Sequence, residues 1–257
     1  HDVLIQMLRE YYMVGGMPEA VNVFIETNDA NSVREVQREI LLAYKNDISK
    51  HTTKEQSQRI AMVWNSMPSQ LSKENKKFIY GVVKKGGRAN EFELAIQWLI
   101  DAGLIIKVGR ITTPSMPLKV YEDLSAFKLY LLDVGLLGAM AEINPVQLLL
   151  PNDMKESKGM FTENFVCTQL VTQFNSSLFY YSKENSTLEI DFFVQKETQI
   201  IPIEVKAELN VKSKSLSTIL QNNEEMFGVR FSMNQYRQQE KIVNLPLYCA
   251  EVYFKED

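Results

Sequence analysis

The chain has 257 residues, 45% hydrophobic and 23% charged, so it can bury a sizeable core and hold more than one domain. Its net charge of −4 and pI near 5.5 argue against a dedicated, strongly basic nucleic-acid binder. With no run of eighteen apolar residues, no signal peptide and only Cys167 and Cys249, the chain reads as cytoplasmic, with buried thiols in a reducing compartment and no membrane partner.

Residues 1–55 read as a helical lead-in. Helical periodicity already runs from Asp2 to Tyr12, as expected of a segment that continues an earlier domain. Val14-Gly15-Gly16 breaks the helix, Pro18 suits a first helical turn, and Ser32-x-x-Glu35 reads as a capping box. The stripe Val33, Val36, Ile40, Leu41, Tyr44 and Ile48 follows it. His51, beside Lys50 and Lys54, reads as a surface residue rather than a ligand.

Residues 56–143 read as a winged-helix domain. Helices are expected over Gln58–Met67, Glu74–Val83 and Asn90–Asp101, with a Gly86-Gly87 turn before the last and Gly103 closing it. A hairpin of Leu104–Val108 and Leu118–Tyr121 would form the wing. The third helix would offer Asn90, Glu91, Glu93, Gln97 and Asp101 to a groove, which is an acidic face, with Lys84, Lys85 and Arg88 at its start. Protein contact or scaffolding is therefore favoured over DNA reading.

Residues 144–257 read as an α/β domain with a central mixed sheet. Gly159–Leu170 has helical spacing, and Met160, Val166, Cys167, Leu170 and Phe174 form an apolar stripe with Glu163 in its middle. A carboxylate there carries a desolvation cost unless it is paired or bound to metal. After a strand near Leu178–Tyr181, two runs alternate with period two: Leu188–Gln195 and Ile201–Ala207. With Glu197-Thr198 as the loop, Asp191 falls opposite Glu204, their Cβ atoms roughly 5 Å apart, with Lys206 two residues on. Two like charges some 4 Å apart repel by roughly 4 kcal/mol at an effective dielectric of 20, so such a pair calls for a cation or a proton. Asn210–Leu216 is a polar basic loop in which Lys212 and Lys214 add positive charge. A short helix to Phe227 and strands over Gly228–Met233 and Ile242–Phe254 complete the expectation.

Glu163, Ile190-Asp191 and Ile203-Glu204-Val205-Lys206, in that order, resemble the acidic helix residue, the Asp and the E-x-K of the PD-(D/E)XK nuclease superfamily, although Ile190 stands where the name has Pro. More widely, Val14–Val21, Trp98–Ile105, Lys128–Leu137 and Gly159–Leu170 resemble the region that follows the ATPase core in bacterial and archaeal AAA+-type ATPases. The resemblance implies a restriction-endonuclease-like domain and a Mg²⁺ or Mn²⁺ held by Glu163, Asp191, Glu204 and the Val205 carbonyl. Lys206 would stabilise developing phosphate charge, and nucleic acid would be the substrate. No G-x-x-x-x-G-K-[ST] occurs, so ATP would belong to an N-terminal core outside this chain, its expected partner. Two functions follow: a metal-dependent phosphodiesterase module of an ATPase, or a non-catalytic interaction or regulatory module with the same fold.

Overall fold

The computed structural model describes residues 1–150, 158–174, 177–207, 213–223 and 225–254. In chain order these form α1 (Asp2–Val14), α2 (Pro18–Thr27), α3 (Ala30–His51), α4 (Lys54–Leu71), α5 (Tyr80–Val83), α6 (Ala89–Asp101), β1 (Ile105–Ile111), β2 (Glu122–Leu131), α7 (Val134–Met140), α8 (Pro145–Leu149) and α9 (Lys158–Gln173). Then come β3 (Phe179–Ser182), β4 (Glu189–Lys196), β5 (Gln199–Lys206), α10 (Lys214–Gln221), β6 (Gly228–Ser232), β7 (Arg237–Gln239) and β8 (Ile242–Pro246). The fold is mixed α+β, helical at the N-terminal end. Two units are distinguished: a helical unit of Gln6–Ile106 and Leu129–Phe165, and a sheet unit of His1–Ile5, Lys107–Lys128 and Val166–Asp257. Among the described residues no helix is long and apolar enough to cross a membrane.

In the helical unit the caps differ from those the sequence suggests. Asp29, not Ser32, caps α3 by accepting from the amides of Asn31 and Ser32. The capping box belongs to α4, where Thr53 and Gln56 exchange side-chain and backbone bonds. His51 ends α3 and is exposed, as expected. The predicted helix over Glu74–Val83 contracts to Tyr80–Val83. Gln70 explains this: its amide bonds both ways to the backbone of Ile79, a local partner that competes with helix.

The break at Val14-Gly15-Gly16 has a structural use. Gly15 takes φ of +73°, and a Cβ there would collide with the Asp133 carboxylate. Asp133 accepts from the Gly16 amide at 2.7 Å and caps α7 through the Leu136 amide at 2.8 Å. Burial pushes its carboxyl up, against the pull of those amides. Gly135 lets α7 approach closely: a Cβ there would lie 2.6 Å from the Val14 carbonyl oxygen and 2.7 Å from the Gly15 nitrogen.

The sheet has eight strands in the order β2-β1-β3-β4-β5-β6-β8-β7. Pairs β1/β3, β5/β6 and β6/β8 are parallel, while β3/β4, β4/β5 and β7/β8 are antiparallel. The strands expected to form a wing are longer and later than predicted, and Leu118–Tyr121 is a 3-10 turn. Likewise the predicted strand Ile242–Phe254 stops at Pro246, and Leu247–Glu251 is a 3-10 turn carrying Cys249. The parallel step from β5 to β6 is made through α10, which lays Leu216, Ile219 and Leu220 on Ile111, Phe179, Tyr181, Ile190 and Phe193.

Gly135→Ala is expected to cost about 3 kcal/mol, because the added methyl meets the Val14 and Gly15 backbone as well as the Gln37 amide, and the backbone cannot swing aside. The check is the urea midpoint at unchanged slope. An unshifted midpoint would show that α7 can draw back at no cost.

Candidate functional site

The hairpin of β4 and β5 turns at Glu197-Thr198, with Glu197 in the left-handed region at φ of 51°. Its ladder runs from Lys196↔Gln199 to Phe192↔Ile203, and one further step in that register sets Asp191 across from Glu204. There the backbone ladder gives out: the Val205 amide donates to Asp191 Oδ2 at 2.8 Å. The cause lies on the other side of β4. Phe193 pairs with Phe179 and Ile190 with Tyr181, so β4 takes three steps where β3 takes two. The extra residue is a β-bulge at Asp191-Phe192. Ile190 and Phe193 consequently share one core cluster, which strict alternation would forbid. The bulge takes Asp191 off the simple two-residue period and aims its carboxylate at the end of β5.

Glu204 is 5% exposed. One of its oxygens, Oε1, meets Lys206 Nζ at 2.6 Å; the other, Oε2, is buried and has no hydrogen-bond partner. An unmatched buried carboxylate oxygen costs free energy, on the order of 1–3 kcal/mol or more for a charged group. Across the parallel register with β6, Glu204 faces Arg230, itself 4% exposed. The guanidinium is held by neutral oxygens: Nε donates to Asn244 Oδ1 at 2.9 Å, Nη1 to Ser213 Oγ and Nη2 to Gln239 Oε1, both at 3.2 Å. Burial pulls the Arg230 guanidinium down and Glu204 opposes that pull. Two residues before Asp191, Glu189 pairs at 2.5 Å with Lys128, which is almost fully buried and lies over the Tyr180 ring.

Glu163 sits in the helical unit on α9, a helix buried on all sides from Met160 to Cys167 rather than along one stripe. Its Oε1 pairs with Lys76 Nζ at 2.5 Å, with the two side chains 9% and 8% exposed, and Tyr130 donates to its Oε2 at 3.1 Å. The next residue, Asn164, bonds both the amide and the carbonyl of Leu131. The structure therefore juxtaposes Asp191, Glu204, Val205 and Lys206 at one end of the hairpin, while Glu163 already has its cation. Among the described residues no group of three His, Cys, Asp or Glu side chains is arranged to hold a metal ion. Lys214 is exposed, and Lys212 lies outside the described residues. Lys76 was not foreseen: the sequence reading places it in a helix over Glu74–Val83, and its partner Glu163 lies eighty-seven positions away. Arg230 had a signal: a lone charge between Val229 and Phe231 in an apolar strand.

A profile of a family described as Domain of unknown function (DUF8612) matches residues 5–147, more than half of the chain. The chain belongs to that family. Residues 158–250 of this DUF8612 protein match a second family, Domain of unknown function (DUF4143), a domain known to follow AAA ATPase cores. No curated protein and no solved structure matches the chain significantly.

Removing one member of the buried pair leaves the other charge stranded. Lys76→Met is expected to destabilise the DUF8612 protein by about 3–5 kcal/mol, and Lys76→Met with Glu163→Leu to recover most of that loss. Urea unfolding of both variants checks this. A single variant as stable as the parent would mean that Glu163 has another source of compensation.

Proposed function

We propose that this chain is the C-terminal part of an AAA+-type ATPase and that its sheet unit is a Mg²⁺- or Mn²⁺-dependent phosphodiester hydrolase acting on nucleic acid. The observation that carries the reading is Glu204 Oε2: a buried carboxylate oxygen with no partner, one register step beyond the paired ladder, across from Asp191 and beside Lys206. That donor set fits a hard cation, which prefers oxygen ligands. Asp191, Glu204 and the Val205 carbonyl would hold it, and when bound it would supply Lewis-acid polarisation of the phosphodiester. Lys206 would leave Glu204 to meet charge developing on the phosphate. Arg230, fixed by three neutral oxygens, keeps a positive charge beside the acid pair and limits its repulsion in the absence of metal. The winged-helix reading of residues 56–143 and the restriction-endonuclease-like reading of residues 144–257 belong to this proposal. So do a cytoplasmic location and an ATP site in an N-terminal core.

A second reading, a non-catalytic interaction or regulatory module of the same ATPase, is favoured by Lys76. It neutralises Glu163, the third acid of the resemblance, without any metal.

Thermal melts with and without Mn²⁺ decide between them. Under the hydrolase reading Mn²⁺ raises Tm of the parent protein saturably through linkage. Asp191→Ala and Glu204→Gln abolish that shift, and a labelled DNA or RNA strand is cut by the parent only. A flat metal response together with uncut nucleic acid removes the hydrolase reading and leaves the module.

A further inference from the structure

Arg34 lies on α3 in the helical unit and is 3% exposed, yet among the described residues no carboxylate forms an ion pair or hydrogen bond with it. Its Nη1 donates to the Gly135 carbonyl at 3.2 Å, and its Nε and Nη2 have no hydrogen-bond partner. Those two groups form one edge of the guanidinium fork, the edge that takes two oxygens of an anion side by side. The absence of a side chain at Gly138 makes room for it: a Cβ there would stand 3.1 Å from Nη2 and 3.3 Å from Nη1. One turn along α3, Gln37 spends its amide nitrogen on the carbonyls of Met13 and Val14, each at 2.9 Å, and its Oε1 is buried with no partner. Both side chains lie against Gly135 of α7. Burial, with exposed Arg38 nearby on the same helix, pushes the Arg34 guanidinium down to about 10, so it is still a cation at neutral pH. A buried water can accept a bond from such an edge but cannot neutralise the charge.

We propose that Arg34 and Gln37 form an anion-binding site between α3 and α7 that takes a phosphate-type oxyanion. Two phosphate oxygens would lie on the Nε and Nη2 edge of Arg34, and a phosphate hydroxyl would donate to Gln37 Oε1. A carboxylate satisfies the first contact and, when ionised, lacks the donor for the second. This site stands in the helical unit and is independent of the hydrolase reading.

The test is thermal unfolding of the whole chain, without divalent metal, as inorganic phosphate replaces chloride at constant ionic strength. Phosphate is expected to raise Tm of the parent by a few degrees and to saturate. Arg34→Met, which keeps the apolar stem, should melt above the parent in chloride and gain nothing from phosphate. Arg34→Lys keeps the charge without the fork and should lose most of the phosphate shift, which carries the test should Arg34→Met fail to fold. Acetate serves as the second arm and is expected to give a smaller shift than phosphate. The proposal is overturned by a parent that does not respond to phosphate, by an equal response in Arg34→Lys, or by acetate matching phosphate.

Discussion

Carrying a carboxylate out of water is the constraint around which this fold is arranged. The structure meets it in four ways. Glu163 is matched by a buried lysine and a tyrosine hydroxyl, and Glu189 by a second buried lysine. Asp133 is held by backbone amides, and in accepting from both Gly16 and Leu136 it ties the first helix break to the start of α7. Glu204 is matched through one oxygen only. The first three solutions are complete and serve the fold. The incomplete one stands apart, because Glu204 Oε2 is buried without a bond that would offset its desolvation.

The bulge in β4 gives that incompleteness a mechanical origin. A regular strand at this position would pair Val205 with backbone. The extra residue between Ile190 and Phe193 disturbs the ladder and substitutes the Asp191 carboxylate for a carbonyl. The sheet therefore ends, between β4 and β5, in side-chain oxygens rather than backbone ones. Arg230, on the far side of β5, is held by three neutral oxygens and faces Glu204 across the parallel register, where its charge bears on that acid.

Much of the hairpin was legible in the residues. Its turn at Glu197-Thr198 and the register from Lys196↔Gln199 to Phe192↔Ile203 follow from period-two alternation, because a one-residue slip would turn every apolar side chain to the wrong face. The α9 helix was legible as a helix, but its apolar stripe was not a stripe over Met160–Cys167, where every residue is buried and there is no solvent face to pattern. The helix expected over Glu74–Val83 failed for the opposite reason. Its periodicity was acceptable locally, but Gln70 bonds the Ile79 backbone and Lys76 reaches Glu163, eighty-seven positions away in sequence.

What the sequence by itself determined is what depends on neighbours a few residues apart: the helix break at Gly15-Gly16, the Pro18 start of α2 and the β4–β5 hairpin with its turn. What only the tertiary structure decided is how each charge is compensated: Lys76 on Glu163, Lys128 on Glu189, Arg230 facing Glu204, and Arg34 with an edge left open. The reason is that periodicity is set by the geometry of a single element, whereas the cost of burying a charge depends on which distant groups the folded chain brings within a few ångströms of it.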